Sequence, residues 1–237
     1  RRYLPLLQAL TGNSPYWDAT DTGYDSFRRE LWVQWPMAGP PVHFDSIKDH
    51  DAAVERLVDV GAIPDPSHVY WDIRLPDKVP TIEFRAADAM TEVWETLGYA
   101  GLVRAMVMAA IDEIHDGRYA DATDPAVLRY AMWHAARYGI GDTIVDPKSG
   151  RQKPTNELVE ELKQWVSGPL ESTGDRVPVH HFIDRIMRLG NGATRQRRAT
   201  QSEDRFPNQK SLEKVVQDVI RRTTDYASVS SVSLFKA

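Results

Sequence analysis

The chain has 237 residues, 42% hydrophobic and 27% charged, with a formal net charge of -5. That is enough apolar material for one substantial core, and a mild charge without long blocks argues against non-specific nucleic-acid binding or a polybasic membrane surface. The absence of cysteine excludes disulfides, thiolate metal sites and cysteine nucleophiles.

In chain order, RRYLPLLQAL spaces Leu4, Leu7 and Leu10 along one face of a helix; its apolar run is too short, and broken by Gln8, for a signal peptide. The chain starts at Arg1 rather than Met and this helix has no capping residue before it, so the expectation is a sequence that begins inside a longer protein. No apolar stretch approaches the roughly 20 residues of a membrane span, and a cytoplasmic location is expected. TGNSPYWDATDTGYDS reads as a long loop leading into Phe27 to Trp35, and WPMAGPP closes that segment. Ser46 to Val60 has a cap at Ser46 and Asp49 and a helical face of Val54, Leu57 and Val58.

After the turn IPDPS, the runs VYWDIRLP and TIEFRAAD, rich in β-branched and aromatic residues, predict an antiparallel hairpin around Pro76 and Asp77. From Thr91 onward the periodicity is helical: Thr96 to His115, Pro125 to Tyr138, Thr155 to Val166, Val179 to Leu189 and Ser211 to Tyr226. Gly141 with Asp146 to Gly150, Ser167 to Pro178, and Gly190 to Asn208 are read as connections. A single catalytic-type domain over residues 1–237 is expected, with residues 227–237, around the Ser- and Val-rich SVSSVS, as a flexible tail.

Familiar chemical motifs are absent. The sequence has no Walker phosphate loop, no HExxH zinc helix and no nucleophile elbow, and GNGATR follows a helix where a dinucleotide loop would follow a strand. The adjacent His180 and His181 cannot share one helix face as a metal pair. The hairpin is more informative. Alternation puts Asp72, Arg74, Thr81, Glu83 and Arg85 on one face and Trp71, Ile73, Ile82 and Phe84 on the other. A turn centred on Asp77 and Lys78 would pair Trp71 with Phe84 and set Asp72 against Glu83. Opposed like charges are destabilising and ask for a cation. That cation is either a divalent metal on the carboxylates, with the arginines left for phosphate, or the arginines themselves in an exposed lattice of salt bridges.

YWDIRLP followed by TIEFRAAD resembles the corresponding stretch of the carboxylate-amine ligases related to the type 2 glutamate-cysteine ligases. SPYWDATDTGYDSFRRELWVQWPMAGPP, WHAARYGIGDTIVDPKSGR and GNGATRQRR resemble further segments of that family, in the same order, so the resemblance runs from Leu4 to about Thr223. It implies an α+β fold, glutamine-synthetase-like: a curved, mainly antiparallel sheet backed by helices, here incomplete at the N-terminus and representing the C-terminal portion of the family domain. It implies an ATP-dependent ligase that phosphorylates a carboxylate, typically the side chain of glutamate, to an acyl phosphate from which an amine displaces phosphate. Mg2+ or Mn2+ and ATP are the implied cofactors, small amino acids the partners, and a homodimer the default assembly.

Carried over residue by residue, the resemblance implies Glu83 as a metal ligand, Arg85 as the contact of the transferring phosphate, and Arg28, with Tyr24, as holders of a substrate carboxylate. Asp72, as a metal ligand, and Arg74, toward the substrate, match in type and are either direct contacts or support for them. Arg195 and Arg197 are phosphate contacts or a solvated basic turn. The family's G-x-E-x-E segment and an H-V-H-V-like strand have no counterpart here. The alternative to a ligase is therefore a ligand-binding or regulatory relative, inactive without an N-terminal segment.

Overall fold

Helix α1 (Leu4–Thr11) is buried at every residue, so the leucine spacing marks only one side of an element enclosed all round. The structure is a computed structural model and describes residues 1–118, 123–200 and 206–225. After α1, the segment expected as loop contains a small hairpin, β1 (Tyr16–Trp17) and β2 (Thr20–Asp21). Its turn residues Asp18 and Ala19 sit at φ 45 and 58, the left-handed region that lets a two-residue turn follow the twist of its strands. Helix α2 (Phe27–Trp32) and β3 (Ala38–Gly39) follow, then α3 (Ile47–Asp59). The predicted cap of α3 is present: the Asp49 N–H donates to Ser46 Oγ at 3.2 Å.

A short 3-10 turn (Pro66–His68) leads to β4 (Tyr70–Trp71), β5 (Ile73–Arg74) and β6 (Glu83–Phe84). The rest is mostly helical: α4 (Val93–His115), α5 (Pro125–Tyr138), the hairpin β7 (Thr143–Asp146) and β8 (Arg151–Pro154), α6 (Thr155–Trp165), α7 (Ser167–Thr173), α8 (Arg176–Leu189), α9 (Gly192–Thr200) and α10 (Gln209–Thr224). Among the described residues the strands make four two-stranded pairs, three antiparallel and one, β3 with β4, parallel. The class is α+β. No described helix is long and apolar enough to cross a membrane.

Two expected connections are helices. Ser167 to Pro178 holds α7 and the start of α8, because a proline at position 169 lies in a first turn, where no backbone donor is lost. Gly190 to Asn208 holds α9, Gly192–Thr200. Gly190, at φ 83, ends α8, and Asn191 starts the next helix by accepting the Thr194 N–H at 3.1 Å. The turn expected at Asp146 to Gly150 is there, but joins two strands that the pattern did not announce. The last helix covers Gln209–Thr224; Tyr226 and the expected tail, 227–237, lie outside the described residues.

The main core joins α1, α4, α6, α7 and α8 through Leu6, Leu7, Leu102, Leu162, Leu170 and Phe182. A second cluster under α3 gathers Val54, Ile63, Val69 and Trp71. Between them Leu4, Leu128 and Met132 close on Ile73 and Ala86. The apolar face of the central hairpin is thus divided, Trp71 going to the second cluster, Ile73 to the small one and Phe84 to the main core. Ile82 was expected with them but stays 44% exposed, because it lies beyond the end of the ladder.

The crossing of α4 and α8 depends on Gly98, where an added Cβ would stand 2.3 Å from the Cβ of Phe182. Gly98→Ala is expected to destabilise the chain by about 1–3 kcal/mol through overpacking. Gly168→Ala, in a helix with open space beside it, is expected to stabilise it by about 0.5–1 kcal/mol. Denaturant midpoints of the two variants, opposite in sign, check both.

Candidate functional site

The central hairpin fixes the site, and its register differs from the expected one. Ile73 pairs with Phe84 and Arg74 with Glu83. The turn is therefore centred between Lys78 and Val79, one residue later than predicted, which moves each partner by two and leaves the faces unchanged. Pro76 and Pro80 have no N–H for a ladder, so pairing stops at Arg74 and Glu83, where opposite charges meet. The predicted opposition of Asp72 and Glu83 does not occur. Asp72 lies opposite Arg85, whose N–H donates to the Asp72 carbonyl at 2.7 Å.

Nor is the charged face open along its length, because α2 lies across it. Arg29 donates from Nη1 to Asp72 Oδ1 at 2.6 Å, with both side chains at 5% exposure or less. Three residues on, one helical turn along, Trp32 packs its ring 5.3 Å from the Arg85 guanidinium carbon. Arg28 donates from Nε to Asp88 at 2.8 Å and from Nη2 to the carbonyls of Ala87 and Arg85 at 2.7 and 3.3 Å. Asp72 is thus a buried counter-ion of Arg29, where a metal ligand was expected. Burial, and then the charge of Asp72, push the Tyr99 phenol above its usual range.

The charged remainder of the face is Arg74, Glu83 and Arg85, all half-buried. Arg74 is engaged through Nε and Nη1: Nε donates to Glu83 Oε2 at 2.7 Å, and Nη1 to the carbonyls of Ser67 and Val69 at 2.6 and 2.8 Å. That makes it a brace between the hairpin and the turn before β4, with fewer donors left for a substrate. Arg85 is different. Its Nη1 stands 3.6 Å from Glu83 Oε1, its guanidinium lies against the rings of Trp32 and Tyr70, and among the described residues it donates no side-chain hydrogen bond. Arg85 is thus held by two rings and one charge, and not by hydrogen bonds from its side chain to other described residues. Glu83 offers an accessible carboxylate, but no group of three His, Asp or Glu side chains able to hold a metal ion occurs among the described residues.

The remaining predicted residues fall elsewhere. Tyr24 accepts from the Trp133 indole N–H at 3.1 Å and lies under the Arg137 guanidinium, within an aromatic cluster. Arg195 is buried against Glu95. Arg197 binds Asp21 at 2.8 Å, Asp25 at 2.5 Å and the Tyr24 carbonyl at 2.7 Å. Burial opposes the charge of Arg197, but its bonds to Asp21 and Asp25 outweigh that and keep it more firmly protonated than usual. Both arginines are already committed to carboxylates and sit on a helix, which corrects the expected phosphate-touching loop. Asn191 completes this knot, donating to Asp25 Oδ2 at 2.7 Å and to the Ala9 carbonyl at 2.9 Å.

Sequence reasoning missed Arg29, Trp32 and Tyr70. Tyr70 shares the strand face of Asp72 and Arg74 by alternation, and Arg29 and Trp32 stand at helical spacing, so an aromatic residue and a cation were both in place for a charged face. The buried pair generates a prediction. Asp72→Ala or Arg29→Ala is expected to cost about 3–5 kcal/mol by stranding one charge, and the joint replacement Arg29→Met with Asp72→Leu to cost less than either. Urea unfolding of the three variants checks this.

Comparison with known proteins adds the following. Residues 1–220 match the family described as glutamate-cysteine ligase family 2 (GCS2). A provisionally named glutamate–cysteine ligase 2 of Rhodopirellula baltica is 56% identical over 198 residues, covering 84% of this chain and 53% of that protein. Provisionally named glutamate–cysteine ligases 2-2 of Mycolicibacterium vanbaalenii and Frankia alni are 44% identical over 199 residues and 37% over 228; they cover 84% and 96% of this chain and 54% and 58% of their own lengths. The chain spans about half the length of the curated relatives it matches.

Proposed function

The chain belongs to the glutamate-cysteine ligase family 2, and from that premise we propose that the intact protein containing it is an ATP-dependent ligase joining a carboxylate to an amine. The carboxylate is that of the glutamate side chain and the route an acyl phosphate. The observation that carries this reading is Arg85, a guanidinium fixed beside Glu83 and two rings that makes no side-chain hydrogen bond among the described residues. Planar, doubly donating groups match the oxygens of phosphate and carboxylate, and electrostatic stabilisation dominates phosphoryl transfer.

In this reading the γ-phosphoryl group passes from ATP to the carboxylate oxygen and ADP leaves; the amine then attacks the acyl carbon and inorganic phosphate departs. Arg85 neutralises the transferring group or the acyl phosphate. Arg74 holds Glu83 in place beside it. The described residues do not by themselves fit a divalent cation. Glu83 is the one accessible carboxylate on the face, with Oε2 already bonded to Arg74, and Asp72 is buried against Arg29. Magnesium accepts one or two carboxylates and otherwise binds water and phosphate, so no step is assigned to it here. The finer parts of the proposal are a glutamine-synthetase-like sheet, of which these strand pairs are portions, the requirement for Mg2+ or Mn2+, a cytoplasmic location and a homodimer.

The test is ADP formation by the intact protein with ATP, magnesium, glutamate and a panel of amines. Product is expected to depend on all of them. Arg85→Ala is expected to lower kcat by 10²-fold or more, in the range of removing one charge-stabilising donor. An intact, folded protein that forms no ADP under any of these conditions overturns the reading.

A further inference from the structure

We propose that Trp32, Tyr70 and Glu83 form a built receptor for one guanidinium ion, occupied in the native chain by Arg85, with Trp32 and Tyr70 as the positioning residues. The role of Arg85 toward an anion rests on the ligase reading; the receptor itself does not.

The geometry is closed on three sides. The Trp32 and Tyr70 ring centroids are 5.1 Å apart and nearly perpendicular, and the Arg85 guanidinium carbon stands 5.3 and 5.4 Å from them. The three centres form a nearly equilateral triangle. Glu83 Oε1, the third partner, stands 3.6 Å from Arg85 Nη1. Each contact works through charge and ring faces, and none uses an N–H of the guanidinium as a hydrogen-bond donor. Arg74, on the same strand face, is restrained the other way, by three hydrogen bonds from Nε and Nη1. An arginine held by hydrogen bonds has fewer donors left to give a ligand. One held by ring faces keeps its orientation and its donors together.

The walls are themselves fixed. Trp32 is carried by α2, which grips the strand on both sides of Arg85: Arg29 binds Asp72, whose carbonyl accepts the Arg85 N–H, and Arg28 binds Asp88 and the Arg85 carbonyl. Tyr70 belongs to β4, paired with β3. The site therefore persists when the Arg85 side chain is removed, leaving a space shaped and charged for a free guanidinium ion.

The experiment uses the Arg85→Ala chain, with guanidinium chloride or methylguanidinium kept to about 50 mM, far below the molar concentrations that unfold proteins. The probe is the indole N–H resonance of Trp32, identified by its loss in Trp32→Phe. Guanidinium is expected to shift it saturably in Arg85→Ala, sodium at equal strength to leave it unmoved, and the wild-type chain, already occupied, to show no response. Adding Tyr70→Leu, which removes one ring wall and leaves the Trp32 signal in place, is expected to weaken binding at least 10-fold. Methylguanidinium is also expected to restore ADP formation several-fold in Arg85→Ala of the intact protein, and not in the double variant. A shift without restored activity supports the receptor and counts against Arg85 as the anion contact. A folded Arg85→Ala chain whose Trp32 signal ignores guanidinium overturns the proposal.

Discussion

A carboxylate that is 1% exposed must find a cation, and Asp72 finds Arg29 at 2.6 Å. The central site depends on that pair. It lays α2 across the charged face of the hairpin, and in doing so removes one of the four charged residues from the surface and brings Trp32 onto another, Arg85. The neighbouring arginine, Arg28, continues the grip through Asp88, a buried acid that also accepts from the Asn13 N–H and from the hydroxyls of Ser14 and Ser26, all at 2.8 Å. The segment from Asn13 to Arg28 is thereby wrapped around one carboxylate. A face with four charges in sequence becomes, in space, a buried ion pair, a brace, and an arginine held beside an acid and two rings.

A third buried acid, Asp25, performs the same office at a distance. Asp25 accepts from Asn191 and Arg197, while its own backbone N–H donates to the Ala136 carbonyl at 2.8 Å. Three segments far apart in sequence meet there: TGYDSF, the end of α5, and GNGATRQRR. The glycines are needed for close approach. An added Cβ on Gly139, at φ 57, would stand 1.7 Å from Asp25 Oδ2, and one on Gly192 would stand 1.9 Å from Asn13 Oδ1. Much of what makes these stretches resemble ligase segments is therefore architecture, and Arg195 and Arg197 belong to it.

Helices were the most legible part of the chain, because apolar spacing over three or more turns survives any tertiary context. Ser46 as a cap, the helix after it and the helix from Pro125 to Tyr138 are where the pattern put them. The short elements were not legible. Helix α7 has seven residues and α2 six, too few for a period to show, and each strand of the hairpins β1–β2 and β5–β6 has two. The start of α9 did carry a signal, an Asn directly after the glycine that ends α8, but the glycines of GNGATR outweighed it.

What the sequence determined by itself was the parity of the central hairpin, the gathering of Asp72, Arg74, Glu83 and Arg85 on one face, and the family to which these motifs point. Strand alternation is local and fixes those facts within a few residues. What only the tertiary structure decided was the state of each charge. Asp72 meets Arg29 from 43 residues away, Arg195 meets Glu95 from 100, and Arg197 meets Asp25 from 172. Whether an arginine serves a ligand or the fold depends on which carboxylate the packing brings to it, and a charge carries no mark of its partner along the chain. The register followed the same logic. A turn displaced by one residue replaced a repulsive pair with an attractive one, Arg74 opposite Glu83.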